Sequence, residues 1–238
     1  MANPIIEQLQ IAQQKSILPN KNWKRDKGAR LEYLRYRICR PLIKGAFYTY
    51  RWWNKPAPWF APSAVNFLKS WLDQEMVGLE FGSGSSSKFF ASRIKKLVSV
   101  EHHKGWYTHV HQWMDENGLE NIDYRFIAEN EVDKPKSLPT FFSTHQLTEI
   151  DYSYKKEFWD YFHAADEFSD GYFDFILIDG RARVACLLNS LPKLKTGGLM
   201  ILDNSDRPSY ELVFKVLKDW DHFTCTTGLS DTTFWIKP

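Results

Sequence analysis

From about residue 63 onward, short apolar runs alternate with segments whose apolar residues recur every three or four positions. The runs are "MVGLEF" (76–81), "LVSVE" (97–101), "IDYRFIA" (122–128), "FDFILID" (173–179) and "GGLMILDN" (197–204). Runs of this length, bounded by polar residues or glycine, predict buried strands. Between them, "SSSKFFASRIKK" (85–96), "KGWYTHVHQWMDENG" (104–118), "YKKEFWDYFHAADEF" (154–168), "RVACLLNSLPKL" (183–194) and "RPSYELVFKVLKDW" (207–220) carry helical periodicity. Gly118 closes the second of these, and Pro208 falls in the first turn of the last. "FTCTTGL" (223–229) and "TTFWIKP" (232–238) then read as two strands around a Gly-Leu-Ser-Asp turn, with no helix between them. The alternation predicts an α/β fold, an open and mostly parallel sheet with helices on both faces, in which one of the last two strands runs antiparallel. Residues 129–153, with Pro135 and Pro139, read as an irregular insertion.

The N-terminal quarter has a different texture. Residues 2–17 fit a short helix that "LPNKNW" ends, and residues 27–50 fit one or two basic, aromatic helices. "NKPAPWFAP" (54–62) is a proline-punctuated linker, after which Ser63 reads as the N-cap of "AVNFLKSWL". The chain thus divides into a helical basic/aromatic extension, 1–62, and an α/β domain, 63–238. Charge follows the same line. Between Lys21 and Lys55 there are eleven Lys/Arg against two acids, whereas the whole chain carries only +2. A basic arm on a mildly acidic body follows. The three cysteines, Cys39, Cys186 and Cys225, match no metal-ligand spacing, and their odd number argues against a disulfide framework. The N-terminus lacks the basic start and apolar core of a signal peptide, and no apolar run reaches the roughly 18 residues of a spanning helix. The expectation is a soluble, cytoplasmic protein without a transmembrane segment.

Candidate chemistry centres on "LEFGSGSSS" (79–87). Gly82 and Gly84 fall where the first strand meets the next helix, so a ligand could approach the backbone there. A P-loop is excluded, because G-x-x-x-x-G-K-[ST] is absent. A dinucleotide site prefers a third glycine where Ser87 stands. A third reading is an S-adenosyl-L-methionine (SAM) site. In it Glu80, Gly82, Ser83, Gly84 and Ser85 form the turn, and Glu101, at the end of the next strand, accepts from the ribose hydroxyls. The competing structural reading is a tight strand-to-helix turn with no ligand.

With "LVSVEHH" (97–103), "FDFILIDGRARV" (173–184) and "GGLMILDNSDRP" (197–208), this stretch resembles the class I SAM-dependent methyltransferases from about Trp71 to the C-terminus. The resemblance implies a seven-stranded Rossmann-like sheet closing on an antiparallel pair, with residues 1–62 as an appendage outside it. It implies SAM as cofactor, His102 and Asp179 on the cofactor wall, and methyl transfer to an oxygen of a small or carbohydrate-like acceptor.

Asp179, Asp203 and Asn204 end two strands on one rim. Two carboxylates and an amide are a hard oxygen set suited to Mg²⁺. The set looks like the metal triad of the catechol and caffeoyl-CoA O-methyltransferases, in which the metal activates the acceptor hydroxyl. The competing reading is that all three cap helices. That group carries a lysine after the first Asp, whereas here Arg181 and Arg183 follow. Arginine stays protonated, so Arg181 suits an anion clamp better than a base. Asp179, His102 and Arg181 are the catalytic candidates, with His103 as another base or, like His102, a wall or surface histidine. The arm mixes cations with aromatics as a lid, a membrane-surface helix or a nucleic-acid contact would. A nucleic-acid partner is not favoured, because no specific motif accompanies it. Oligomeric state is not encoded in any pattern here. Two further readings compete: a methyltransferase-like binding protein without catalysis, and an aminopropyltransferase-like nucleoside-binding enzyme.

Overall fold

In the computed structural model, which describes residues 3–22, 30–55, 57–130, 139–147 and 155–238, the apolar runs form a single seven-stranded sheet. The strands are β1 (Val77–Phe81), β2 (Lys96–Glu101), β3 (Ile122–Phe126), β4 (Phe173–Ile178), β5 (Leu194–Asp203), β6 (His222–Thr226) and β7 (Asp231–Ile236), in the order β3-β2-β1-β4-β5-β7-β6. The first five run parallel. β7 pairs antiparallel with both β5 and β6, as two strands joined by a tight turn must.

The central strands are buried on both faces, and their alternating side chains split the core in two. Ile176, Ile178 and Met200 meet Tyr161, Leu187 and Val213 on one face. Phe175, Leu177 and Ile201 meet Leu9, Phe67 and Phe90 on the other. The helices described are α1 (Pro4–Gln14), α2 (Arg30–Trp53), α3 (Pro62–Trp71), α4 (Ser85–Ala91), α5 (Lys104–Glu116), α6 (Thr140–Thr144), α7 (Trp159–Phe162), α8 (Arg183–Ser190) and α9 (Glu211–Val216).

Several elements differ from the sequence reading. The N-cap expected at Ser63 falls at Ala61, with Pro62 in the first turn, where a missing N–H costs nothing. Ser63 instead donates from inside α3 to the Gln13 side chain (2.9 Å), whose Oε1 also accepts from the Thr226 N–H at the sheet edge (2.9 Å). Gln13 thereby ties α1 to both α3 and β6. α2 is one helix, running through Pro41. Arg37 and Pro41 are both exposed, so water can serve the carbonyl that Pro41 leaves unbonded. The segment 154–168 yields only a short 3₁₀ turn and α7, because its aromatics Phe158, Tyr161 and Phe162 turn into the core at once. Within the insertion expected at 129–153, residues 131–138 and 148–153 lie outside the described residues.

The parallel register sets the ends of β1, β2, β4 and β5 on one rim. There the loops after β1 and β4 cross in contact. Gly82 has φ +93°, and a Cβ on it would stand 2.6 Å from the Gly180 backbone. The Asp179 N–H to Phe81 O bond (2.9 Å) ties the β4 end to β1, and the Gly82 N–H to Val100 O bond (2.8 Å) ties the β1 end to β2. Gly82→Ala would add both left-handed strain and a backbone clash. It should cost about 2 kcal/mol or more in urea-induced unfolding. Unchanged stability would show that the two loops can separate freely.

Candidate functional site

Glu80 is fully buried near the end of β1. Its Oε1 accepts from Ser99 Oγ on β2 (2.6 Å) and from Ser87 Oγ on α4, while its Oε2 is buried without a hydrogen-bond partner. Burial pushes this carboxyl up to about 7 despite the serine hydroxyls, and the nearby Asp179 charge adds to the rise. Ser87 also accepts from the Gly84 N–H (2.9 Å), so the glycine turn and Glu80 are one hydrogen-bonded unit.

Glu101 is buried as well but has the opposite balance. Oε1 accepts from the His102 and His103 N–H groups (2.9 and 2.8 Å), and Oε2 from the Ser83 N–H and hydroxyl (3.0 and 2.8 Å). Burial alone would raise its pKa. The His102 imidazole, 3.0 Å away, and these donors outweigh burial and hold it at about 2. A permanently ionised carboxylate therefore stands beside the glycine turn.

Asp179 and Asp203 lie together across the β4–β5 rim, close enough for each carboxyl to act on the other. Burial raises both, and for Asp203 the Asp179 charge raises it further, so the pair keeps a proton above the ordinary carboxyl range. Arg183 is their counter-ion. Its Nη2 donates to Asp179 Oδ1 (2.8 Å), and its remaining donors reach the carbonyls of Asp179, Gly180 and Asp203. Sequence reasoning missed this residue as a site component, although the i,i+4 spacing to Asp179 was a signal.

The metal triad does not assemble. Asp179 and Asp203 converge, but Asn204 Oδ1 accepts from Arg207 Nη2 (2.8 Å) and Asp203 Oδ1 from Thr232 Oγ1 (2.8 Å). The Arg183 guanidinium already compensates Asp179. Among the described residues no group of three or more His, Cys, Asp and Glu side chains could hold a metal, and the amide oxygen that would be the third donor is bonded to Arg207. As placed, the three side chains do not form an Mg²⁺ site. Neither do the three residues cap helices, since α8 and α9 start from Ala182 and Tyr210 without side-chain caps.

A cavity of about 450 Å³ opens over this rim, lined by Gly82, Ser83, Glu101, His102, Asp179 and Arg181, among others. Ser83, Asp179 and Arg181 line this cavity; Gly84 and Ser85 line a neighbouring cavity, and Glu80 lies beneath the surface. His102 forms the wall against Phe158 and Tyr161, while His103 Nδ1 accepts from the Trp106 N–H (3.1 Å) as the N-cap of α5. Arg183 and Arg207 complete a cationic side opposite Glu101. All three cysteines are free thiols, with Cys186 and Cys225 buried away from solvent.

No family model matches the chain, and no curated protein matches it. Solved structures do. A methyltransferase from Geobacter sulfurreducens is 13% identical and aligns over 82% of this chain and 88% of its own, with a TM-score of 0.51. The chain has the Rossmann-like methyltransferase fold. A methyltransferase-like protein from Silicibacter pomeroyi (20% identity, 69% and 80% of the two chains, TM-score 0.47) and an rRNA methylase from Streptococcus thermophilus (12%, 74% and 94%, 0.48) are also similar. At these identities the likeness is one of fold.

The two kinds of buried carboxyl have opposite consequences for stability. Glu80 binds its proton more tightly folded (about 7) than at its ordinary value of 4.5. Its contribution is complete below pH 4.5 and is lost as pH rises through 7, by about 3 kcal/mol. Asp203 acts in the same direction. Glu101 does the reverse, losing its contribution as pH falls from 4.5 towards 2. Glu80→Gln should therefore gain stability relative to the parent chain between pH 5 and 8.5 in urea unfolding. An equal difference at both pH values would mean that Glu80 is ionised throughout.

Proposed function

We propose that the chain transfers the methyl group of SAM to a hydroxyl oxygen of a small, polar, carbohydrate-like acceptor. The observation that carries this reading is the placement around one cavity of Glu101, hydrogen-bonded beside the glycine turn, and Asp179, paired with Arg183. The donor set fits SAM at Glu101, which supplies carboxylate oxygens for a ribose diol, for which the ribose would exchange with the Ser83 hydroxyl. SAM, when bound, supplies the electrophilic methyl carbon.

The chain's own residues do the rest. Asp179 would accept the proton of the acceptor hydroxyl as that oxygen takes the methyl group SAM supplies, SAM leaving as the neutral thioether. A carboxyl pair whose proton affinity is raised by burial works as a base closer to neutral pH than an ordinary aspartate does. Arg183 limits that rise and keeps the pair's charge compensated between turnovers. Arg181, exposed at the cavity mouth, would clamp an anionic group of the acceptor. No step uses a metal, because Asn204, the third donor of the expected set, is bonded to Arg207.

Titration calorimetry with S-adenosylhomocysteine tests the reading. The parent chain should bind it, and Glu101→Gln should weaken binding about tenfold or more, the loss of a charge-assisted acceptor. Equal binding by the variant would place the nucleoside elsewhere. Methyl transfer to an accepted substrate should persist in EDTA, and a rate abolished by EDTA and restored by Mg²⁺ would return the metal to the mechanism.

A further inference from the structure

α2 presents three distinct faces. Glu32, Tyr36, Cys39, Ile43, Phe47 and Tyr50 recur at helical spacing and, with Arg51, are the partly or fully buried positions, Ile43 lying against the Gly228 turn. On the opposite side Leu31, Leu34, Ile38 and Leu42 form an apolar stripe, which resumes past Gly45 and Thr49 at Trp52, with Trp53 beside it. These side chains are 60, 53, 63, 74, 68 and 72% exposed respectively. Nothing in the packing of the described residues explains six large apolar groups in water on one helix. The third face is cationic. Arg37, Arg40, Lys44 and Arg51 recur at i, i+3, i+7 and i+14, along one flank of the stripe, and the helix as a whole has six Lys/Arg against Glu32 alone.

The C-terminal half of α2 is fixed to the body. Arg51 stacks on the Trp59 ring at 3.8 Å and donates to the Ala57 carbonyl (2.8 Å), and Phe47 and Tyr48 pack on the same ring. The cationic flank then runs into a cavity of about 560 Å³ lined by Arg51, Lys55, Lys88, Trp59, Trp106 and Trp113.

We propose that α2 is an interfacial helix that docks the chain on an anionic lipid bilayer, with the Leu/Ile/Trp stripe in the acyl boundary and the cationic flank at the phosphate level. Charge complementarity selects this occupant. A second copy laid along the stripe would bring two strongly positive helices together. A nucleic acid would pair with the cations but leave the aliphatic stripe in water. A bilayer of acidic lipids satisfies both faces at once, and tryptophans at one end suit the headgroup boundary. No described helix is long and apolar enough to cross the membrane, so the contact is with its surface.

Vesicle flotation with the full chain tests the proposal. The chain should float with phosphatidylcholine vesicles containing about 30 mol% phosphatidylglycerol, much less with phosphatidylcholine alone, and less as salt is raised. The triple variant Leu34→Glu, Ile38→Glu, Leu42→Glu should lower partitioning by about tenfold or more. Arg37→Glu with Arg40→Glu should lower it too. All five positions are exposed, so the unfolding transition should stay in place, and that is checked alongside. Failure of the parent chain to float with the acidic vesicles would overturn the proposal, as would floating unchanged by the triple variant. So would a dimer that the triple variant dissociates without any vesicle binding, or binding of RNA by a chain that ignores vesicles.

Discussion

Holding carboxyl groups out of water at one rim of a parallel sheet is the demand around which the rest of this structure is arranged. Parallel strands all end on the same side, so the acids that finish β1, β2, β4 and β5 are forced into one small region. Left uncompensated, they would repel one another and lose their hydration. Each is dealt with differently. Glu101 is surrounded by donors and stays ionised. Glu80 keeps serine partners on one oxygen and is pushed towards the neutral form. Asp179 and Asp203 are both raised by burial, with Arg183 beside them as counter-ion.

These solutions have chemical consequences. An ionised carboxylate next to a glycine turn is an acceptor for a diol. A carboxyl pair with raised proton affinity is a base matched to neutral pH. A guanidinium bonded to both loops keeps the pair in place without a metal ion. The proposed methyl transfer needs little more than this, because SAM brings its own leaving group and asks the protein mainly for orientation and for somewhere to put a proton.

The sheet was legible in the sequence because its signals are local: apolar runs of strand length, and glycines where two loops must touch. The position of each acid at a strand end followed directly, which is why Glu80, Glu101, Asp179 and Asp203 could be named in advance. What each acid does there was not legible, because it depends on partners far along the chain. Thr232 holds Asp203 and Ser99 holds Glu80, and neither pairing leaves a spacing pattern. Asn204 looked like a ligand, but its left-handed backbone and the Arg207 side chain three residues on direct its amide oxygen elsewhere. Gln13 is the same kind of case: a polar residue on an amphipathic helix that proves to be buried and bonded across 213 positions to Thr226. The short-range reading of 154–168 failed for a different reason. Its aromatics were spaced for a helix, yet the core draws them in within one turn.

The crystal structure of the chain with S-adenosylhomocysteine tests the central claim most directly. The ribose hydroxyls should lie within hydrogen-bond distance of the Glu101 carboxylate, with the sulfur directed towards the Asp179–Asp203 side of the same cavity. A nucleoside bound away from Glu101, or a sulfur facing away from the carboxyl pair, would contradict the account.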